Sequence, residues 1–394
     1  MDERYPLDPL PSKVPAIFYA AYFGVLGIVL PHLGPYLEWR GLGAVGVGLI
    51  TAAFSLAKLI YAPWVGTAVD RGRWIRGLLT GHIVVAALCA AVVPMVGAGW
   101  LVGILLFLVG TGHGTVLPLV EATVLERLPE AGYGRLRLWG SLGFVAVALG
   151  GSALLGAVGT GAFPLLLAVV LTLLAVACLP FERVPRPLQR ESSGEIPRPV
   201  WLLLGVLCLH QVSHGPYYAF FSIHLEAAGY SGLSVGALWS VGVVAELGAF
   251  FASRRLESRL GLRCLLTIAL ALTPVRWLLL AGPPLVSIVL VAQLGHAVTF
   301  ALAHVAGIQI VQLLSPPRVV RRAQALYSGL TFGLGIVVGS ALAGPVYGTF
   351  GGRGAFAAAA ALAVVVVLLW LPLARKLGDR GGAAVAELPI SDEL

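Results

Sequence analysis

Charge is what this chain has least of. Asp, Glu, Lys and Arg make up 11% of its 394 residues, hydrophobic residues make up 58%, and the mean hydropathy is +0.93. That leaves too little polar surface to cover a water-soluble body of this length, which excludes a soluble globular fold. Cysteine is nearly as scarce. Cys89, Cys178, Cys208 and Cys264 stand singly in or at the ends of apolar stretches, without pairing or metal-ligand spacing, and read as small core hydrophobes. No Gly-x-x-x-x-Gly-Lys loop occurs, so ATP is not the energy source unless a partner supplies it. The only Asp near an apolar segment is Asp70, and no nucleophile-base pair stands out beside it. A membrane-embedded enzyme is therefore a remote alternative, and neither a metal nor another cofactor is expected.

What the chain does have is apolar length. Stretches able to cross a ~30 Å hydrocarbon core, about 20 residues each, run over roughly 15–38, 44–69, 76–97, 99–127, 134–157 and 161–180. A second set runs over about 199–227, 232–257, 263–282, 284–313, 320–348 and 353–375. The expectation is an all-α membrane protein with twelve transmembrane helices in two pseudo-symmetric six-helix bundles. Its segments are a leader (1–14), a first bundle (15–180), a Pro-, Arg- and Glu-rich linker (181–198), a second bundle (199–376) and a tail (377–394). The first apolar segment is full length and lacks a small-residue cleavage pattern, so it is expected to stay in the mature protein.

The second half repeats the first at an offset of 188 residues. Leu37-Glu38-x-x-Gly41 recurs as Leu225-Glu226-x-x-Gly229, and Val47-Gly48 recurs as Val235-Gly236. The same offset carries Lys58 onto Glu246. Each of these charges lies about 13 residues, or roughly 20 Å, from either polar flank, too far for its side chain to reach water along the helix. A duplicated scaffold with ionisable groups buried between its halves is the pattern of a secondary transporter.

Basic residues set the orientation. With the N-terminus in the cytoplasm, all but four of the 26 Lys and Arg residues fall in the leader, the tail or loops on the cytoplasmic side. The exceptions are Arg40 and Arg353 on the opposite side, and Lys58 and Arg276 inside spans. This agrees with the positive-inside rule in every loop and predicts a multi-pass protein of the cell inner membrane with both termini cytoplasmic. The net charge of +8 is dispersed over short loops, which offers no continuous face for nucleic acid.

Several stretches resemble a known family. Gly66-x-x-x-Asp70-Arg71-Gly72-Arg73 resembles the signature loop of the major facilitator superfamily, with Gly72 one residue early, and Ser253-x-x-x-Glu257 followed by Gly261-Leu262-Arg263 resembles a worn second copy. An Asp at a helix end can pair with Arg and cap a neighbouring helix, so the resemblance implies gating by Asp70 and Arg71; a simple helix-end cap is the alternative. Three further stretches are Gly134-Arg135-Leu136-Arg137-Leu138-Trp139-Gly140-Ser141, Ser213-His214-Gly215-Pro216-Tyr217-Tyr218 and Gln324-Ala325-Leu326-Tyr327-Ser328. They resemble the branch that contains the bacterial phenylpropionate permease, itself similar to lactose permease and nucleoside:proton symporters. Fold and alternating access follow from this resemblance; the solute does not, because related members move chemically different solutes.

The lactose permease pattern implies roles for single residues. Glu121 and Arg137 match its sugar-binding carboxylate and guanidinium, and Glu246, Arg276 and His296 match members of its substrate and proton-coupling network. Where that pattern carries a further carboxylate, this chain has Thr299, which does not titrate in the physiological range. Proton coupling would then fall to Glu246 or Glu121. Burial favours the neutral form of a carboxyl and a nearby cation favours the ionised form, and a proton symporter needs that competition. A static ion pair of Glu246 with Lys58 or Arg276 is the plain alternative, and Arg276 could instead snorkel toward the near end of its span.

Spans one, four, seven and ten line the cavity in this fold, which makes Tyr22, His113, Glu121, His214, Tyr217 and Tyr218 candidate solute-binding residues, joined by the cations Lys58 of span two and Arg137 of span five. Aromatic walls with a few polar anchors suit a small, partly apolar solute, and a cation in the same cavity suits a carboxylate. Proton-coupled uptake of an aromatic or other organic acid, a sugar or a nucleoside is the leading reading, with Na⁺ in place of H⁺ still open and a monomer expected. A proton-coupled exporter of amphipathic compounds is the alternative. Gly335-x-x-x-Gly339 with Gly344-Pro345 resembles the glycine-proline motif of exporters, but in span eleven and not span five.

Overall fold

The computed structural model describes residues 13–70, 77–127, 133–181 and 194–384, which are helical throughout apart from short turns, with no strand among them. The first half contributes α1 (Lys13–Trp39), α2 (Ala44–Asp70), α3 (Leu78–Val92), α4 (Gly99–Arg127), α5 (Tyr133–Val158) and α6 (Phe163–Cys178). The second half contributes α7 (Arg198–Val212), α8 (Gly215–Ala227), α9 (Gly232–Leu260), α10 (Leu262–Ala281), α11 (Val286–Leu294), α12 (Ala303–Leu314), α13 (Val320–Tyr327) and α14 (Ile336–Ala384). Helices are what lipid demands, because each backbone N–H and C=O must find its partner within its own segment.

Among the described residues, ten segments are long and apolar enough to cross a membrane. The sequence expectation of twelve meets two local features. The seventh expected span is broken at Ser213–His214 into α7 and α8, of 15 and 13 residues. The eleventh and twelfth run together as Val320–Leu377, interrupted inside α14 by Gly351, whose φ of 65° takes the chain out of helical geometry. Two π-helical turns, Ala297–Leu302 and Ser328–Gly335, interrupt the tenth and eleventh expected spans.

The internal repeat has a local structural cause. Gly41 and Gly229 both adopt positive φ, at 74° and 91°. Gly41 N–H donates to Glu38 O at 2.8 Å and Leu42 N–H to Leu37 O at 3.1 Å; Gly229 N–H donates to Glu226 O at 2.9 Å and Tyr230 N–H to Leu225 O at 3.1 Å. Leu-Glu-x-x-Gly is thus the same Schellman C-cap written twice, ending α1 and α8 at equivalent places. Arg40 beside the first cap donates to Tyr36 Oη at 2.9 Å and to the carbonyls of Val93 and Val96, occupying acceptors left free where α3 ends.

Two apolar cores are centred on the two halves, the first also taking in Ala219, Phe220 and Ile223 of α8. One surrounds Phe18, Ile28, Ile83, Leu106, Phe163 and Leu171; another surrounds Leu203, Leu266, Leu270, Ala306 and Trp370. A third bridges the halves, with Phe144 and Ala148 of α5 set among Phe221, Val235, Trp239 and Trp277.

Glycine draws the halves together near the 40–43 and 228–231 turns. A Cβ on Gly48 would lie 2.6 Å from Ser340 O, one on Gly344 would lie 2.8 Å from Ala44 O, and one on Gly34 would lie 2.8 Å from Ala219 O. Gly236 packs as tightly on Ser152 and Ala148 of α5. These helices approach closely because the glycine carries no side chain at each contact, and Gly48 and Gly344 face one another directly. Gly48→Leu is therefore expected to spread this seam and to cost about 1–3 kcal/mol through overpacking. Electron–electron resonance between spin labels at positions 43 and 348 should then report a longer distance, and an unchanged distribution would show that the seam does not depend on this contact.

Candidate functional site

Beyond the glycine seam the halves part around a cavity of about 340 Å³. The first half lines it with Phe23, Leu26 and Leu30 of α1, Thr51, Phe54 and Ser55 of α2, and Ser141 and Phe144 of α5. The second half contributes Tyr217 and Tyr218 of α8, Trp239 and Glu246 of α9, His296 and Phe300 at the tenth-span π turn, and Phe332 at the eleventh. The described lining is thus apolar with hydroxyls on one side, and aromatic with an acid and an imidazole on the other. Both π turns and the α7–α8 break face this region, and such irregular turns concentrate at functional sites.

The acid and the imidazole meet. Glu246 Oε2 stands 3.7 Å from His296 Nε2, and the His296 ring stacks on Phe300 at 4.8 Å with a 16° interplanar angle. His296 Nδ1 is buried and has no hydrogen-bond partner. Behind them Gln293 organises the wall: its Nε2 donates to Tyr217 Oη at 3.2 Å and to Leu238 O at 2.8 Å, and its Oε1 faces Arg276 Nη2 at 3.5 Å. Arg276 is only 2% exposed. Its Nε donates to Ala292 O at 2.8 Å, and its guanidinium lies over the rings of Tyr217 and Trp277 at 4.4 and 4.5 Å. The side chain therefore turns into the bundle and does not snorkel.

Two histidines one helical turn apart, His210 and His214, extend this polar core behind the cavity, a spacing the sequence reading passed over. His210 Nε2 pairs with Thr273 Oγ1 at 3.1 Å. His214 Nδ1 donates to His210 O at 3.0 Å, its ring meets Trp277 edge-on at 4.7 Å, and its buried Nε2 is unpartnered. Thr299, the departure from the lactose permease pattern, donates to Gly295 O of its own helix at 3.1 Å.

Of the expected solute-binding residues, Tyr217 and Tyr218 line the described cavity. His214 lies behind its wall. Tyr22 and His113 stack on one another in the first half at 4.1 Å, with His113 Nε2 on Tyr22 O at 3.2 Å, and neither lines the cavity. Glu121 accepts from Tyr19 Oη at 3.0 Å, also away from the described lining. The side chains of Lys58, Arg137 and Asp70, and all of Arg71, lie outside the described residues, and with them the expected Lys58–Glu246 pairing and Asp70–Arg71 latch. In the worn second copy, Glu257 Oε2 accepts from Gln309 Nε2 at 3.1 Å, tying the end of α9 to α12. The sequence reading did not single out Phe144, Trp239 or Phe332, because an aromatic in an apolar span looks the same whether it packs in a core or faces a cavity.

Comparison with known proteins agrees with this architecture. Residues 15–358 match the MFS_1 like family. The chain is 32% identical over 378 residues to the probable 3-phenylpropionic acid transporter of Escherichia coli, covering 90% of this chain and 96% of that one. It is 30% identical to the maltose permease of Geobacillus stearothermophilus, covering 81% and 83%. Among solved structures, the nucleoside transporter NupG superposes with a TM-score of 0.80 at 16% identity, covering 92% of this chain and 98% of that one. A bacterial homologue of the human lysosomal transporter Spinster, inward-facing and unoccupied, superposes with a TM-score of 0.72 at 14% identity, covering 93% and 97%. These relatives are transporters and not enzymes, and their small-molecule cargo and membrane setting match a duplicated helical scaffold closed around a cavity. The chain is a multi-pass membrane transporter of the major facilitator superfamily and belongs to its MFS_1 like family.

Proposed function

We propose that this transporter takes up an aromatic or other organic acid together with a proton, and that Glu246 and His296 carry the coupling. The observation behind this reading is the Glu246–His296 pair, 3.7 Å apart on the wall of a cavity whose other described lining is mostly aromatic and aliphatic, with the hydroxyls of Thr51, Ser55 and Ser141. A carboxylate entering beside Glu246 adds a second negative charge in a low-dielectric space, where two neighbouring carboxylates do not both stay ionised. Glu246 then takes up a proton as the solute arrives and gives it up as the solute leaves. That exchange is what ties the two fluxes together.

The size and lining favour the acid over a sugar. A cavity of about 340 Å³ with Thr51, Ser55 and Ser141 as its hydroxyls offers few partners for the many hydroxyls of a disaccharide, whereas Phe23, Phe144, Trp239 and Phe300 suit a flat apolar body. The similarity to a probable 3-phenylpropionic acid transporter supports the same class. We place the protein in the inner membrane, with both termini cytoplasmic according to the distribution of basic residues. In that orientation the glycine seam is the closed outer gate.

Purified protein in proteoliposomes with an internal pH dye should acidify the lumen when 3-phenylpropionate is added outside, beyond the passive entry seen in protein-free vesicles. Internal alkalinisation would indicate antiport and export instead. Glu246→Gln is expected to retain counterflow exchange of the acid while losing at least tenfold in accumulation driven by a pH gradient. Unchanged accumulation would remove Glu246 from the coupling step.

A further inference from the structure

Among the described residues, Arg276 is a buried cation without a counter-ion. No carboxylate lies within 4 Å of it among the described residues, and its Nη1 is buried without any hydrogen-bond partner. Its Nε is held by Ala292 O at 2.8 Å, while its contact with Gln293 through Nη2 is long, at 3.5 Å. The strong bond thus lies at the Nε side and fixes the aim of the group, leaving the Nη1/Nη2 edge weakly engaged. With Nε already engaged, that edge is the one left to receive a carboxylate through two parallel N–H···O bonds. Two further buried nitrogens without partners lie near by: His214 Nε2, on a ring 4.7 Å from Trp277, and His296 Nδ1, on a ring 5.5 Å from Tyr217. Tyr217 and Trp277 are the two rings that the Arg276 guanidinium covers. A static structure has little reason to keep an unpaired guanidinium and two idle imidazole nitrogens together in its interior.

We propose that Arg276 is the receptor for the carboxylate of the transported solute and that Tyr217 is the shutter between this receptor and the cavity. The proposal rests on the organic-acid reading above and adds where the acid group binds. Tyr217 lines the cavity and lies against the guanidinium at 4.4 Å, so a movement of this one ring joins the two spaces. The Gln293 side chain, which donates to Tyr217 Oη at 3.2 Å, holds the shutter closed. Gly242 stands beside that hydroxyl; a Cβ built there would meet Tyr217 Oη at 3.7 Å, so the missing side chain leaves the tyrosine room to move. With its carboxylate on Arg276, the solute would leave its apolar body among Trp239, Phe300 and Phe332, in a cavity that matches one ring and a short chain. A monoanion fits this receptor because it supplies one permanent positive charge.

The test compares binding of 3-phenylpropionate with that of its uncharged amide, followed by tryptophan fluorescence on the purified full-length protein. The wild type is expected to prefer the acid at least tenfold, Arg276→Gln to bring the ratio close to one, and Arg276→Lys to fall between them, since an ammonium keeps the charge and loses the fork. Tyr217→Phe keeps the ring and drops the hydroxyl that interacts with Gln293 and Arg276, and should speed association of the acid at least threefold in stopped flow. A ratio that stays at its wild-type value in Arg276→Gln overturns the proposal, as does a parallel loss of both ligands, which is the mark of a purely structural arginine. Should Arg276→Gln fail to fold, a wild-type ratio in Arg276→Lys together with wild-type association in Tyr217→Phe overturns it equally. Acid-dependent lumenal acidification with an unchanged ratio would leave proton symport standing and remove only this receptor. Binding of neither ligand to the wild type would remove both.

Discussion

Lipid offers no hydrogen bonds, and the rest of this structure answers to that fact. Backbone groups are satisfied within helices, so the polar side chains that remain must find partners in the protein interior or face its cavity. Among the described residues they gather mainly in the second half, where Arg276, Gln293, His296 and Glu246 run from the interior of the bundle to the cavity wall. The same pressure explains the glycines. With no hydrophobic drive between helices in a membrane, close backbone approach supplies the cohesion, and Gly48, Gly236 and Gly344 provide it between the halves.

The two halves share ancestry in their caps and differ in their chemistry. Identical Schellman caps end α1 and α8, yet the described part of the first half presents Phe54, Ser55 and Phe144 to the cavity where the second presents Glu246, His296 and aromatic rings. Helical irregularity follows the chemistry. The break between α7 and α8 and the π turns at Ala297–Leu302 and Ser328–Gly335 all lie in the second half, beside the polar cluster.

Much of the fold was legible in advance because hydropathy and charge distribution are linear properties. The apolar stretches, the 188-residue repeat and the alternation of basic loops need no three-dimensional information, and they led to a duplicated membrane transporter before any contact was known, while short motifs supplied the resemblance to the superfamily. The candidate site was legible in part. Glu246, Arg276 and His296 stood out because an ionisable group in an apolar span is costly, and Tyr217 and Tyr218 stood out through the stretch they share with relatives. His113 and Tyr22 shared the same signal and stack on each other instead of lining the cavity.

The sequence by itself determined that this chain crosses a membrane many times in two related halves and carries charge where lipid does not tolerate it, because composition and periodicity set the energy of each segment alone. Only the tertiary structure decided which of those groups meet. Glu246 and His296 are 50 positions apart, and Arg276 and Tyr217 are 59 apart. Their approach depends on how α8, α9, α10 and α11 pack, and packing depends on the shapes of all the side chains between them. The direction of Arg276 is the clearest case. In sequence it stood near enough to the end of its span for its side chain to snorkel, and its bond to Ala292 O and its place over Tyr217 turned it inward.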